Sequence, residues 1–305
     1  MLTVLMATHN GSDTLNRTLA AMAELICPPG GWKLVIVNNA CTDNSDEVIL
    51  KWKDLLPLDF LVEPKLGKNT ALNAGMARVE GDFVIMTDDD VLPDRDWLVE
   101  WRRAADTHPQ YTMFGGAIEA EFEVPPPRWL EESWLAMLYA VTDAAHIEGV
   151  MKPADIFGPN MAVCRSVIDG GARFDEQLLV GSEGLMASET EFLDRLAAQG
   201  HRACFVPRAR VRHIVQKEQV SWMWMLRRFY RGGRTTFVLH QRERRNPEPQ
   251  IFHVPRCALR RFAESLLRLP LVALTFDESR LFSHLRTMAY DLGTISQARK
   301  LARSN

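Results

Sequence analysis

The chain has 305 residues, 47% of them hydrophobic and 25% charged, with a formal net charge of −3. That length buries a large core and that mixture is ordinary for a folded protein, so an intrinsically disordered chain is excluded. The near-neutral total conceals a division: residues 1–200 carry 15 Lys and Arg against 32 Asp and Glu, while residues 201–305 carry 21 against 7.

Residues 2–6 predict a strand apolar on both faces, and Leu15, Leu19 and Met22 predict a helix after it. Residues 34–37 predict a second strand, followed by a helix carrying Val48, Ile49 and Trp52. A third strand at 60–62 leads to a helix over 71–79, and a fourth strand follows at 83–86. Apolar strands alternating with amphipathic helices predict a mostly parallel sheet covered on both faces. Ligands of such sheets bind beyond the carboxyl ends of the strands. A further strand at 111–118 precedes Pro125-Pro126-Pro127, where the alternation stops. A helix with Trp129, Trp134 and Met137 is expected next, then a shorter run of elements over 155–213 with strands at 204–206 and at 211. Only helices are expected beyond, around 221–240, 256–269 and 279–302.

Five cysteines, an odd number without a Cys-x-x-Cys pair, argue against a disulfide scaffold and for a reducing compartment. The N-terminus shows no secretion signal, and residues 269–276 are too short an apolar run to span a membrane. A cytoplasmic protein is expected, with peripheral contact on the inner membrane face open to its C-terminal helices.

The strand at 83–86 runs into Thr87-Asp88-Asp89-Asp90. Three adjacent carboxylates repel one another, and a hard divalent cation, Mg²⁺ or Mn²⁺, would relieve that repulsion while phosphate oxygens complete its shell. Without the cation, the triplet reads as a solvated turn. Two other strand ends are polar: Thr8-His9-Asn10, and Asn38-Asn39 followed by Thr42-Asp43. Both also read as helix caps. Gly67-Lys68 places a cation beside a helix start, where an anion is welcome.

The order of these segments resembles the inverting family-2 glycosyltransferases of the GT-A fold. Thr8-His9-Asn10 matches that family's Thr-x-Asn-like turn, and residues 37–43 its Val-Asp-Asn-x-Ser-Thr-Asp pattern. Residues 67–75, including Lys68 and Asn73, match its Gly-x-x-x-Ala-x-Asn-x-Gly segment, and Asp88-x-Asp90 its DXD metal motif. Gly158-Pro159-Asn160-Met161-Ala162 resembles its Gly-x-Asn-Met-Ala loop, and Ser188-Glu189-Thr190-Glu191-Phe192 its Glu-Asp-x-Glu-Leu helix start. The resemblance implies a GT-A-type, Rossmann-like α/β domain over residues 1–215, with residues 216–305 as an Arg-rich helical extension. It also implies transfer from a nucleotide-diphosphate sugar, a UDP-sugar being favoured, to a carbohydrate, lipid-linked or other hydroxyl acceptor.

By this resemblance Glu189 is the catalytic base, and Asp88 and Asp90 hold Mn²⁺ or Mg²⁺ with His213. The donor falls to Thr8, His9, Asn10, Asn38, Asn39, Asp43, Lys68, Asn73, Asp88, Asp89 and Asn160. Two positions depart from the family: Asn38 replaces the usual aspartate, and Ser188-Glu189 replaces Glu-Asp. Ser188-x-x-Glu191 also reads as a capping box, which leaves Glu189 free to face the cleft. Glu183, in a glycine-flanked loop, is the rival carboxylate. Arg227, Arg231 and Arg234 recur at helical spacing, as a clamp for the donor diphosphate, a contact for anionic lipid or a solvated face. Nucleic acid is not an expected partner. The competing readings are a nucleotidyltransferase that makes sugar nucleotides, whose triphosphate loop Ala7-Thr8-His9-Asn10-Gly11 lacks, and a non-catalytic binding protein.

Overall fold

β1 (Leu2–Thr8) is buried along nearly its whole length because both of its faces are covered. Leu2, Val4 and Met6 point to one apolar layer with Leu15, Leu19 and Met22, while Leu5 points to the other with Ala71 and Leu72. The computed structural model describes residues 1–142, 145–176, 188–242 and 249–304. The chain continues through α1 (Ser12–Ala23), β2 (Trp32–Asn39), α2 (Ser45–Trp52), β3 (Leu58–Glu63), α3 (Lys68–Gly75) and β4 (Phe83–Thr87). β5 (Val91–Pro93), α4 (Trp97–Thr107), β6 (Met113–Phe122), α5 (Leu135–Tyr139), β7 (Gly149–Met151), β8 (Asn160–Cys164) and α6 (Arg165–Asp169) come next. α7 (Ser188–Ala198), β9 (Ala203–Val215), α8 (Trp222–Arg242), the short β10 (Gln250–Ile251) and β11 (Val254–Pro255), α9 (Arg256–Ala273) and α10 (Glu278–Ser304) complete it.

The main sheet has the order β3-β2-β1-β4-β8-β6-β9-β5, with β7 also paired to β9. β3, β2, β1 and β4 are mutually parallel, as the alternation of strands and helices requires. β8 joins β4 in the antiparallel sense, and the pairs beyond it at β6–β8, β5–β9 and β7–β9 are antiparallel too. Parallel pairing sends β1, β2 and β4 to one edge, so the turns after Thr8, Asn39 and Thr87 meet there. The strands expected at 204–206 and 211 are one continuous β9. It holds two short partners, β7 at Ala203 to Phe205 and β5 at Val211 to His213. Pro207 lies in the gap between them, so its missing N–H interrupts neither pairing.

Among the described residues, 1–121, 139–176 and 188–214 form one compact unit, and 122–138 with 215–304 form a second. The second unit takes up the chain at Val215, and the segment after the β6 strand, expected in the first domain, also belongs to it. The helix expected there is only α5, preceded by a 3₁₀ turn over Glu132–Trp134, and Trp129 lies outside both. Trp129 and Trp134 instead pack on Phe282 with Trp222, at ring separations of 4.4 to 5.5 Å. In that unit α8 and α10 cross at paired glycines: a Cβ on Gly233 would lie 1.9 Å from the Tyr290 carbonyl oxygen, and one on Gly293 would lie 2.0 Å from that of Tyr230. Asp291, fully buried on α10, accepts both ends of the Arg261 fork from α9 at 2.6 and 3.1 Å.

Candidate active site

The first two strand-end loops are joined to each other. Asn10, at φ +54°, accepts a hydrogen bond from the Thr42 N–H at 2.7 Å, and the Cys41 thiol donates to the Thr8 carbonyl at 3.4 Å. Asp43 accepts from the Ser12 N–H at 3.0 Å, and from the Ser45 N–H and hydroxyl at 3.1 and 2.6 Å. Burial works against its charge, but these bonds prevail and pull its pKa down to about 2. Asp43 therefore anchors the starts of α1 and α2 rather than standing open to a ligand.

Most of the asparagines expected on the donor are likewise engaged within the protein. Asn38 is buried; its amide donates to Asp46 and its oxygen accepts from the Cys41 N–H at 2.9 Å. Asn39 lies on the cleft wall, yet it donates to the Glu63 and Lys65 carbonyls and accepts from the Gly67 N–H at 2.8 Å. Asn73 donates to the Phe174 carbonyl and to Glu176, and accepts from the Phe174 N–H. Lys65 and Thr70 converge on the same Glu176 carboxylate at 2.6 and 3.2 Å. Sequence reasoning missed that anchor because its partners lie about a hundred residues away, with no local signal.

Asn160 is the clearest correction. It is fully buried, donates to the Ala117 and Ala209 carbonyls at 2.8 and 2.7 Å, and accepts from the Trp97 indole at 2.9 Å. Gly116 makes room for it, since a Cβ there would come within 2.2 Å of the amide nitrogen. Asn160→Ala should cost about 2–4 kcal/mol of stability by leaving three buried groups unpaired. Its denaturation midpoint should fall while the nucleotide affinity of the folded protein is unchanged; the reverse pattern would return Asn160 to the donor.

A cleft of about 630 Å³ opens at this edge, lined by Thr8, His9, Asn39, Gly67, Lys68 and all three acidic residues. It falls within the usual range for small-molecule sites, about 300–1,000 Å³. His9 is exposed, its Nδ1–H donating to the Asn39 carbonyl at 2.7 Å.

The structure gives each carboxylate of the triplet a different partner. Lys68 donates to Asp88, the Thr8 hydroxyl donates to Asp89, and His213 Nε2 lies 3.2 Å from Asp90. Gly11 admits the second of these, because a Cβ there would lie 2.1 Å from the Asp89 carboxylate. Burial and then the charge of Asp90 push Asp89 up to about 7, against the Thr8 bond. Burial acts the same way on Asp90, but the charge and hydrogen bond of His213, together with the Lys68 charge, hold Asp90 below the usual carboxylate range. Burial would lower His213, yet Asp90 carries the imidazole up to about 9. On Lys68, burial is overcome by Asp88, Glu189 and Asp90, which raise its pKa.

Lys68 and His213 thus supply part of the positive charge for which the sequence argument invoked a metal. Both His213 nitrogens are engaged, Nδ1 with the Tyr139 carbonyl at 2.6 Å, so the residue sits as a partner of Asp90 rather than as an open ligand. Among the described residues no group of three or more His, Cys, Asp or Glu side chains is arranged to hold a metal ion. The site still fits a divalent cation of the Mg²⁺ type, which needs only one or two carboxylates beside phosphate oxygens. Asp90 Oδ1 is buried without a hydrogen-bond partner.

Glu189 stands in the first turn of α7, where the helix dipole favours a carboxylate. Glu189 and Lys68 flank the bare face of Gly158: a Cβ there would lie 3.7 Å from the Glu189 carboxyl carbon and from Lys68 Nζ. Lys68, Asp88, Gly158, Ser188 and Glu189 line one small recess. Glu191 does not close a capping bond with Ser188; it pairs with Arg195 at 3.0 Å on the same helix. The capping box expected from Ser188 and Glu191 is therefore not formed. Glu183 lies outside the described residues. Arg227 and Arg231 belong to the second unit: Arg227 is exposed, and Arg231 is half-buried with a pKa lowered by burial and by Arg234. Arg234 itself donates to Gln297 at 3.0 Å.

The family model "Glycosyl transferase family 2" matches residues 3–169, more than half of the chain. Two curated proteins are similar over most of it. The probable glycosyltransferase YdaM of Bacillus subtilis is 24% identical over 77% of the chain, and the succinoglycan biosynthesis protein ExoM of Rhizobium meliloti is 23% identical over 72%. These alignments span 56% of YdaM and 69% of ExoM, so the chain spans little more than half the length of the former. Among solved structures, the mannosyltransferase PcManGT from Pyrobaculum calidifontis, in complex with GDP-Man and Mn²⁺, superposes with a TM-score of 0.63 at 21% identity. That match covers 95% of this chain and 86% of that one, and it shows a shared fold.

Proposed function

The chain belongs to glycosyl transferase family 2, and from that premise we propose that it transfers a sugar, with inversion, from a nucleotide-diphosphate donor to a hydroxyl acceptor. A carbohydrate or lipid-linked acceptor in polysaccharide assembly fits the likeness to ExoM. The observation that carries this reading is the shared recess, in which Glu189 and Lys68 face each other across Gly158 beside Asp88.

The donor's phosphates are held at the cleft by Lys68 and the strand-end triplet, where a fixed cation meets charge that grows as the bond breaks. A divalent cation held by Asp90 and Asp88 would neutralise the departing diphosphate. His213 keeps Asp90 ionised and oriented for that purpose. Glu189 accepts the acceptor's proton as the hydroxyl attacks the anomeric carbon. With Glu189 acting as base rather than nucleophile, the transfer is a single displacement, which inverts the anomeric centre.

A thermal-shift panel tests the donor class. UDP with Mn²⁺ should raise the melting temperature, since a ligand at 100 times its Kd adds about 2.7 kcal/mol. UDP is the nucleotide expected from the sequence, and a larger shift with GDP would reassign the base. No shift with any nucleoside diphosphate, with or without Mn²⁺, would defeat the proposal.

A further inference from the structure

α9 turns Ala258 and Ser265 into the second unit, while its opposite face is left bare. That face carries Arg256 and Arg260 at its start, then Leu267 at 79% exposure and Leu271 at 68%. The stripe runs on through Leu274 at 69% to Phe276 at 91%. Positions 256, 260, 267, 271 and 274 follow helical spacing, so one face is basic at its start, where Arg260 also pairs with Glu264 at 2.7 Å, and apolar at its end. Phe276 sits at φ +52°, in the left-handed region that an aromatic residue seldom adopts, at the turn leading out of the helix.

We propose that this face docks on a membrane surface bearing anionic headgroups. The leucines and Phe276 enter the acyl boundary, and the arginines take headgroup phosphates. Charge complementarity selects this occupant: residues 216–305 hold 17 Lys and Arg against 7 Asp and Glu. Arg256 and Arg268, both exposed on α9, make no salt bridge among the described residues. A second copy suits the face less well, because two-fold pairing sets arginine either against arginine, when the helices run parallel, or against the leucine end, when they run antiparallel. The contact is peripheral, since among the described residues no helix is long and apolar enough to cross a membrane. A hydroxyl acceptor carried on a lipid would then be met at the surface where it resides.

The test is co-sedimentation of the full chain with phosphatidylcholine vesicles, with and without phosphatidylglycerol. Binding should require the anionic lipid and weaken as salt is raised. Leu267→Glu with Leu271→Glu should lower vesicle partitioning by about tenfold or more. Arg256→Gln with Arg268→Gln should lower it several-fold and flatten the salt dependence. All four positions are solvent-exposed, so both variants should keep the parent's melting temperature and nucleotide shift. Absence of binding to anionic vesicles, or unchanged binding by the leucine variant, would overturn the proposal. So would a dimer in sedimentation equilibrium that the leucine variant dissolves, which would assign the face to a second copy. Vesicle binding is read without turnover, so it stands or fails apart from the transferase reading.

Discussion

Glu189→Gln should lower kcat by about 10³-fold, within the 10²–10⁴ range for loss of a positioned base, with little change in donor KM. The substitution keeps the size of the side chain at the start of α7 but removes the group that can take a proton. On the proposed reading the donor's phosphates are met by Lys68 and a cation at the triplet, not by Glu189, so nucleotide-induced stabilisation should persist. Glu191→Gln is the matched control one step along the helix. It loses only an i,i+4 pair with Arg195, worth a few tenths of a kcal/mol, and turnover should stay within about twofold of the parent. Steady-state kinetics beside thermal shift separates the two roles. A Glu189→Gln enzyme with parental turnover would move the base elsewhere, Glu183 being the next carboxylate to test.

The second large effect is expected at Asp90. Asp90→Ala removes the carboxylate whose Oδ1 is buried without a partner and whose Oδ2 faces His213. Metal-dependent nucleotide affinity should fall by about 10²-fold or more, the scale seen when groups around a metal site are lost. Asp89→Asn should be mild by contrast. Burial and its charged neighbours push Asp89 up to about 7, toward its protonated form, and an amide resembles that form. Calorimetric titration of UDP with and without Mn²⁺ reads both variants. Equal losses at Asp89 and Asp90 would show that the triplet acts as a block of charge rather than through one oriented oxygen.

Much of the sheet was legible because its signals are local. Continuous apolar runs at β1, β2 and β4, set between helices with i, i+4 patterns such as Leu15 and Leu19, require a sheet covered on both faces. Parallel pairing then brings the polar turns after Thr8, Asn39 and Thr87 to one edge. Lys68, Asp88 and Asp90 could be named as candidates for the same reason, since each stands at a strand or helix end, whereas Glu189 was named through the family resemblance.

What the residues do there was another matter. Asn38 and Asn39 looked like ligand contacts because they stand at a strand end, and Asn73 and Asn160 because their segments resemble the family's motifs. Folding supplies partners 3 and 8 residues away for Asn38 and from about 25 to 100 residues away for the other three, and an amide enclosed by the fold must take them. Lys68 on Asp88 and His213 on Asp90 are pairs of the same kind, joined by topology alone. The transfer of residues 122–138 to the second unit likewise rests on Trp129 and Trp134 meeting Phe282, some 150 residues away. Periodicity along the chain determined which elements form and which ends carry charge. Only the tertiary structure decided which polar groups remain open to a ligand, because each group's hydrogen-bonding capacity is filled first by whatever the fold brings within 3 Å.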